Sequence, residues 1–349
     1  MLAELRLKQY RSYSDDSFEL SPGVTIIVGP NGSGKTNLLE AILVIARGKS
    51  YRAKDAELIQ HGHDWARLDA RLNSGNVRSV ILKAEPKPSK EYTVDGKQYK
   101  RLTLNHSFPV VLFEPNHLLL LSGSPEGRRS FLDDLLEQTK PGYGTTIRHY
   151  RRILAQRNAL LKQHASNQTM FPWNVRLAEK AGEIIHHRTE FIHDVREQLP
   201  ELYQAISRGN DTLTISYISE WTPTNYVNLL LQTLEKRHQI DTERGFTTSG
   251  PHRDDIGFYL NGFNAQDVAS RGELRTAVLA LKIIELQTIT KHRSLKPVFL
   301  LDDVFSELDG ARRRALTEYL DAFQTIITTT DADLVLKNFT GSCTILALQ

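Results

Sequence analysis

Gly29-Pro30-Asn31-Gly32-Ser33-Gly34-Lys35-Thr36 is the stretch on which the fold turns. The pattern G-x-x-x-x-G-K-[ST] wraps backbone N–H groups around nucleotide phosphates and brings a lysine to them. Immediately before it, Val24-Thr-Ile-Ile-Val28 reads as a buried strand; after it, residues 37–45 read as a helix. The helix N-terminus would add free N–H groups and the positive end of its dipole to the anion site. A mere glycine-rich turn between elements is the plainer reading, and the flanking pattern argues against it. The expectation is a nucleoside triphosphate site formed by Gly29 to Thr36 and the neighbouring Asn37.

Two segments far downstream answer the first. Val298-Phe-Leu-Leu301 is an apolar run that ends in Asp302-Asp303, and Ala269-Ser270-Arg271-Gly272-Glu273 opens a helical stretch. A Mg²⁺ ion bridging phosphates needs a hydroxyl, here Thr36, and a carboxylate from a second strand. A parallel sheet exposes its carboxyl edge where ligands collect. Asp302 is therefore expected to hold Mg²⁺ through water and Asp303 to orient or deprotonate the attacking water. Two acids after a strand can also cap the following turn; beside a phosphate loop the catalytic reading is preferred. Ser270 and the Gly272 backbone offer O–H and N–H donors suited to a γ-phosphate. The same residues, with Glu273, also read as a helix N-cap, and the two readings are compatible.

At 349 residues the chain suggests two domains and ample core, and its 40% hydrophobic and 24% charged residues are ordinary for a globular protein. One cysteine, Cys343, excludes an internal disulfide framework and suits a reducing cytosol, so a cytoplasmic location is expected. The first residues carry no apolar signal core, and charges interrupt every apolar run before membrane-spanning length. No membrane association is expected.

Three regions separate along the chain. Up to about residue 120, short β-patterned runs alternate with turns, including hairpins around Asn73-Ser-Gly-Asn76 and Asp95-Gly96. From about 126 to 240 the apolar period is helical, with stripes such as Ile147, Tyr150, Ile153, Leu154, Leu160 and Leu161. Strand-and-helix alternation then returns, with strands expected at 256–260, 298–301, 324–329 and 343–348 and helices near 273–290 and 310–322. This order implies an α/β ATPase domain split in sequence, 1–125 and 241–349 (lobe I), carrying an inserted, mainly helical lobe II over 126–240.

Ser270-x-Gly272-Glu273 and the acidic strand followed by Ser306-Glu-Leu-Asp309 resemble the ATP-binding cassette superfamily. Within it the chain is similar to the SMC- and Rad50-like branch, and almost end to end it resembles the RecF family of bacterial recombination mediators. The motifs include Asn31-Gly-Ser-Gly-Lys-Thr-Asn-Leu-Leu-Glu-Ala41, Lys49-Ser-Tyr-Arg52, Gly123-Ser-Pro-x-Gly-Arg128-Arg129, Gln156-Arg-Asn158 and Gly250-Pro-His-Arg-Asp-Asp255. The resemblance implies an ATPase head with mixed sheets and flanking helices, ATP and Mg²⁺ as ligands, and a homodimer sandwiching two ATP molecules. Each site would take its phosphate loop from one copy and its Ser270 segment from the other, and hydrolysis would release the pair. Arg52 matches a family position close to the nucleotide. RecR and RecO are the implied partners, in recombinase loading and the SOS response. Asp303 stands where most cassette ATPases carry glutamate, and Ile326-Ile-Thr-Thr-Thr-Asp331 lacks their switch histidine. Phe113-Glu-Pro-Asn116, at the place of the glutamine loop, has no glutamine.

DNA is the expected second ligand, single- and double-stranded alike. Arg128, Arg129, Arg148, Arg151, Arg152 and Arg157 place positive charge along the helical insertion, with Arg148 and Arg152 on one helix face. Such a strip suits phosphate contacts, which carry no sequence preference and make binding salt-sensitive. A solvated face, or ion pairs with Asp133, Asp134 and Glu137, is the competing reading. Two other classes compete: the nucleotide-binding subunit of a membrane transporter, whose segment between phosphate loop and signature is much shorter, and a nuclease-linked ATPase of the overcoming-lysogenisation type, which needs a further acidic domain.

Overall fold

The computed structural model describes residues 1–320, 322–337 and 343–349. In chain order, β1 (Leu2–Tyr10), β2 (Tyr13–Glu19) and β3 (Val24–Val28) lead to the phosphate loop and α1 (Lys35–Arg47) leaves it. The hairpins β4 (Trp65–Leu72) with β5 (Val77–Lys83) and β6 (Ser89–Val94) with β7 (Lys97–Tyr99) follow, then β8 (Val110–Phe113). Next come α2 (Pro125–Thr139), α3 (Tyr143–Lys162), α4 (Asn167–Ser207), β9 (Leu213–Ile218), α5 (Tyr226–Lys236) and α6 (His238–Arg244). They are followed by β10 (Asp255–Leu260), β11 (Phe263–Asn264), α7 (Ala265–Val268) and α8 (Arg271–Arg293). The chain continues through β12 (Val298–Asp302), α9 (Val304–Glu307), α10 (Gly310–Leu320), β13 (Thr325–Thr329), α11 (Ala332–Leu336) and β14 (Cys343–Ala347). Residue 321 of the expected 310–322 helix lies outside the described residues.

Two compact units result, Met1–Leu118 with Glu285–Gln349, and Leu119–Ile284; the division falls inside α8. The first holds a five-stranded sheet in the order β14-β3-β13-β12-β8 and a six-stranded sheet in the order β2-β1-β4-β5-β6-β7. The five-stranded sheet is parallel, and β8, β12 and β13 are buried at every position. Covered on both faces, such strands read as unbroken apolar runs rather than alternating ones. The six-stranded sheet is antiparallel and alternates: Ala66, Leu68 and Ala70 of β4 are buried while Trp65, Arg67 and Arg71 are exposed. Helix α1, buried from Leu38 to Ala46, shares one core with Leu5 and Leu7 of β1, Val80 of β5 and Leu300 of β12.

The second unit packs α2 to α6 and most of α8 with the three-stranded sheet β11-β10-β9. Here the structure departs from the sequence-based division. Strand β9, with Leu213 and Ile215 buried in alternation, lies inside the segment expected to be helical. It pairs antiparallel with β10, Leu213 facing Leu260 and Ile218 facing Asp255. That pairing draws residues 241–284, expected in the ATPase domain, into the unit that contains the helices.

Candidate functional site

The phosphate loop sits at the carboxyl edge of β3 in the parallel sheet. Gly32 and Gly34 have φ of +86° and +97°, a left-handed backbone that other residues rarely adopt. A Cβ on Gly29 would lie 2.6 Å from Ser33 Oγ and 2.8 Å from the Leu348 carbonyl oxygen, so the residue just past β14 closes on the loop and leaves no room for a side chain there. Tyr13 donates to the Gly34 carbonyl at 3.0 Å. Lys35 Nζ reaches across the loop to the carbonyls of Gly29 and Pro30 at 2.8 and 2.9 Å. Ser33 Oγ is buried without a hydrogen-bond partner, an arrangement that a phosphate oxygen would satisfy. An open pocket over the loop is lined by Asn31, Gly32, Gly34, Lys35, Thr36, Asn37, Arg52 and Asp303.

Although 266 positions separate them, Thr36 Oγ1 donates to Asp302 Oδ1 at 3.0 Å. Thr328, on the neighbouring β13, donates to the same oxygen at 2.8 Å and accepts from the Asp303 N–H at 3.0 Å. Hydroxyl and carboxylate oxygens form a hard donor set that fits Mg²⁺, with Thr36 and Asp302 as the residues that would hold it. Asp303 has φ +55° at the start of α9, a left-handed conformation that Asp tolerates better than most residues. Burial pushes its carboxyl up, opposed by Lys35 and assisted by Asp302 and Glu307. A carboxyl shifted in this direction is a better proton acceptor than an ordinary aspartate.

Sequence reasoning missed Glu40 and Arg11. Glu40 is fully buried on α1, and it accepts from Arg11 Nε at 3.0 Å, Ser50 Oγ at 2.5 Å and Arg52 Nη2 at 3.3 Å. Glu40 stands in the quoted loop-helix motif, so a charged residue amid Leu38, Leu39, Ala41 and Ile42 was the available signal. Arg52 Nη2 also donates to Asn37 Oδ1 at 2.8 Å. Asn37 and Arg11 in turn line a second depression with Ser12, Gln60, His61 and His63.

In the second unit, Ser270 caps α8. Its N–H donates to Glu273 Oε2 at 2.7 Å and its Oγ accepts from the Glu273 N–H at 3.3 Å, a capping box. Ser270 is exposed and Gly272 half-buried.

The arginines of the helical segment fall into two sets. Arg157 is wholly buried: it donates to Asn174 at 2.8 Å, Asp241 at 2.8 Å and Thr247 at 2.7 Å. Arg128, 6% exposed, forks onto both Asp255 oxygens at 2.8 Å and caps the Gly123 carbonyl. Both are corrected from DNA contacts to internal ties, because each guanidinium is itself buried and its donors are already engaged, Arg157 by Asn174, Asp241 and Thr247 and Arg128 by Asp255 and Gly123. Arg129 is half-buried and donates to the Asp254 carbonyl at 2.7 Å. Arg148, Arg151 and Arg152 are exposed on α3; Arg148 lies 3.6 Å from Glu137 and Arg151 3.9 Å from Asp133.

The Gly250–Asp255 motif, whose role the sequence left open, is a polar hub. The Pro251 carbonyl accepts from the buried Arg188 at 2.7 Å, and Arg188 also forks onto Asp133. His252 Nδ1 meets the Tyr150 hydroxyl at 2.6 Å and its Nε2 the Thr247 carbonyl at 3.1 Å. Asp254 accepts from Tyr217 at 2.9 Å and from Tyr226 at 3.5 Å. Among the described residues one His/carboxylate group has metal-ligand spacing, His186, His187 and Glu190, but Lys140 Nζ stands 3.0 Å from Glu190 Oε1 and disfavours a cation there.

A phosphate loop and a paired-acid strand end on one parallel sheet, with an antiparallel sheet across α1, define an ATPase head of the ATP-binding cassette type. The RecF/RecN/SMC N-terminal domain profile matches residues 1–341, and the chain belongs to that family. It is 38% identical over 347 residues to the DNA replication and repair protein RecF of Shouchella clausii, covering 93% of this chain and 91% of that protein. The RecF protein of Bacillus cytotoxicus is 36% identical, covering 95% of this chain and 92% of that protein. A solved structure of the recombination mediator protein RecF-ATPrS in the RecFOR pathway superposes with a TM-score of 0.89 at 28% identity, over 99% of this chain and 96% of that one. An Smc head bound to the C-winged helix domain of ScpA shares the fold, with a TM-score of 0.53 at 18% identity over 97% of this chain and 92% of that one.

Proposed function

We propose that this protein is a DNA-binding ATPase of recombinational repair and replication restart, in which ATP joins two copies on DNA and slow hydrolysis releases them. The observation that carries the reading is the 3.0 Å approach of Thr36 to Asp302, which supports a phosphate-and-magnesium site in a chain whose relatives are named DNA replication and repair proteins. The loop N–H groups, Lys35 and Ser33 would bind the β- and γ-phosphates, and the depression sharing Asn37 would take ribose and base. Mg²⁺, held by Thr36 and Asp302, would neutralise phosphate charge. Asp303 would hold the attacking water and accept its proton, its raised carboxyl being suited to that exchange.

Ser270 and Gly272 of a second copy would close on the γ-phosphate, the exposed Ser270 at the start of α8 supporting that role. Loss of the γ-phosphate would then remove the group that both copies grip. Arg148, Arg151 and Arg152 would contact DNA phosphates of single or double strands without sequence preference, with Arg129 at most beside them. RecR and RecO are proposed partners, supported by a structural relative described within the RecFOR pathway. The lone Cys343 agrees with a cytoplasmic setting. A DNA titration with and without ATP, run beside light scattering, tests the whole: affinity and mass should both rise with ATP, and a mass unchanged by ATP would overturn the dimer.

A further inference from the structure

Glu40 is a charged side chain with no solvent exposure, on a helix whose neighbours Leu38, Leu39, Ala41 and Ile42 are equally buried. An apolar residue would pack there at no electrostatic cost, whereas a buried carboxylate is unfavourable unless fully partnered. Its partners are two arginines and a serine. Arg11 donates through Nε at 3.0 Å and Nη2 at 3.2 Å, Ser50 through Oγ at 2.5 Å, and Arg52 through Nη2 at 3.3 Å. Ser50 Oγ also accepts from the N–H groups of Arg52 at 3.1 Å and Ala53 at 3.0 Å, which pins the backbone that carries Arg52.

The two guanidiniums reach different places. Arg52 lines the phosphate pocket with Lys35 and Asp303, while Arg11 lines the adjoining depression, and Asn37 belongs to both. Both Arg52 contacts use Nη2, and a guanidinium has five N–H donors in a fixed fork, so Nε and Nη1 are left to meet an anion. Side-chain exposure of 37% for Arg52 and 23% for Arg11 keeps each accessible to a ligand, against none for Glu40.

We infer that Glu40 is a positioning residue for nucleotide recognition: by holding Arg52 at the phosphate loop, with Arg11 and Ser50 satisfying the rest of its charge, one buried carboxylate makes the site discriminate a triphosphate from a diphosphate. The inference rests on the nucleotide reading of the phosphate loop. Arg52, tied through Nη2 to Glu40 and Asn37, keeps Nε and Nη1 for the pocket it lines with Lys35, where a terminal phosphate adds charge that a diphosphate lacks.

The test uses fluorescent ATP and ADP analogues titrated into wild type, Lys35→Met, Glu40→Gln, Arg52→Ala and the Glu40→Gln/Arg52→Ala double variant of the full chain. Glu40→Gln should weaken ATP binding about tenfold and ADP binding little, the loss expected for one charge-assisted hydrogen bond. In the Arg52→Ala background the same change should add nothing, because both act through one guanidinium. Additive losses, or equal losses for ATP and ADP, would overturn the inference and leave Glu40 as a structural tie. If melting curves show Glu40→Gln unfolded, Ser50→Ala takes its place: a smaller loss confined to ATP is expected, and wild-type discrimination would overturn the inference. A wild type that binds neither analogue, or a Lys35→Met that binds both unchanged, would instead refute the phosphate-loop reading.

Discussion

At the scale of single residues, the two adjacent acids differ because of what surrounds them. Asp302 is buried and receives two threonine hydroxyls, from Thr36 and Thr328. Asp303 accepts no such pair; burial pushes its carboxyl up, with the neighbouring Asp302 adding to the shift. A base with a raised pKa loses its free form as the pH falls, and does so at higher pH than the ordinary carboxylate value of 3.8. Hydrolysis should therefore decline on the acid side, earlier than a normal aspartate dictates. Asp303→Asn should retain ATP and reduce turnover by about 10²–10⁴-fold, the usual contribution of a positioned base. Single-turnover hydrolysis across pH 5 to 8 checks both expectations, and a variant with wild-type turnover would remove Asp303 from the step. The phosphate loop and both acids were legible in the sequence because each is a contiguous motif whose chemistry follows from spacing. Glu40 with Arg11 was not, since nothing local ties residue 11 to residue 40 until β1 and α1 share a core.

At the scale of elements, the charged motifs divide into structural and exposed groups for a reason the chain pattern alone does not carry. Arg157 lies between the exposed Gln156 and the half-buried Asn158, and in the sequence it is one more arginine in the basic run that holds Arg148 and Arg152. Only the fold reveals that Asp241 of α6 waits for it. Strand β9 escaped notice for a similar reason: its apolar alternation is short, and its partner β10 lies beyond two helices. What survives as an exposed strip is Arg148, Arg151 and Arg152 on α3. Reversing all three to glutamate should weaken DNA binding and reduce the slope of log affinity against log salt by about 2 to 3, since each lost phosphate contact releases about one counterion fewer. Affinity measured from 50 to 200 mM salt decides it; an unchanged slope would make the strip an ordinary solvated face.

The Gly250–Asp255 hub belongs to the same scale, and its titrations oppose one another. Burial raises Asp254 to about 6 from 3.8, and burial lowers His252 to about 4 from 6.5. Between pH 4 and 6 the folded unit keeps the Asp254 proton that the unfolded chain has lost, so this group destabilises as pH rises. Over nearly the same window the unfolded chain holds a His252 proton that the folded unit refuses, so this group stabilises as pH rises. The two cancel in large part. Asp254→Asn removes the first alone, and its unfolding free energy from denaturant titrations should climb with pH between 4 and 6 more steeply than that of wild type, by an amount on the order of 3 kcal/mol across the window. Parallel curves for the two proteins would show that Asp254 titrates as an ordinary carboxylate.

At the scale of the whole molecule, the question is why a chain with a complete phosphate loop carries a second phosphate-seeking segment. Under the proposed reading, Lys35, the loop N–H groups and the start of α1 would meet the phosphates from one side. The Ser270 cap offers another hydroxyl and another helix start, and in one copy these would duplicate donors already in place. Supplied by a second copy, as proposed, they would make ATP the shared element of an interface, with binding and association coupled through the same free energy. Ser270→Arg should leave ATP affinity of the isolated copy within about twofold of wild type, because nothing in the loop of the first unit changes. It should abolish the ATP-dependent gain in mass, since a long cation replaces a compact donor where two copies converge. Light scattering with ATP and with ADP, on wild type and on Ser270→Arg, separates these expectations. A variant that still doubles its mass with ATP would mean that Ser270 is a helix cap and nothing more, and that the second copy reaches the nucleotide by other residues.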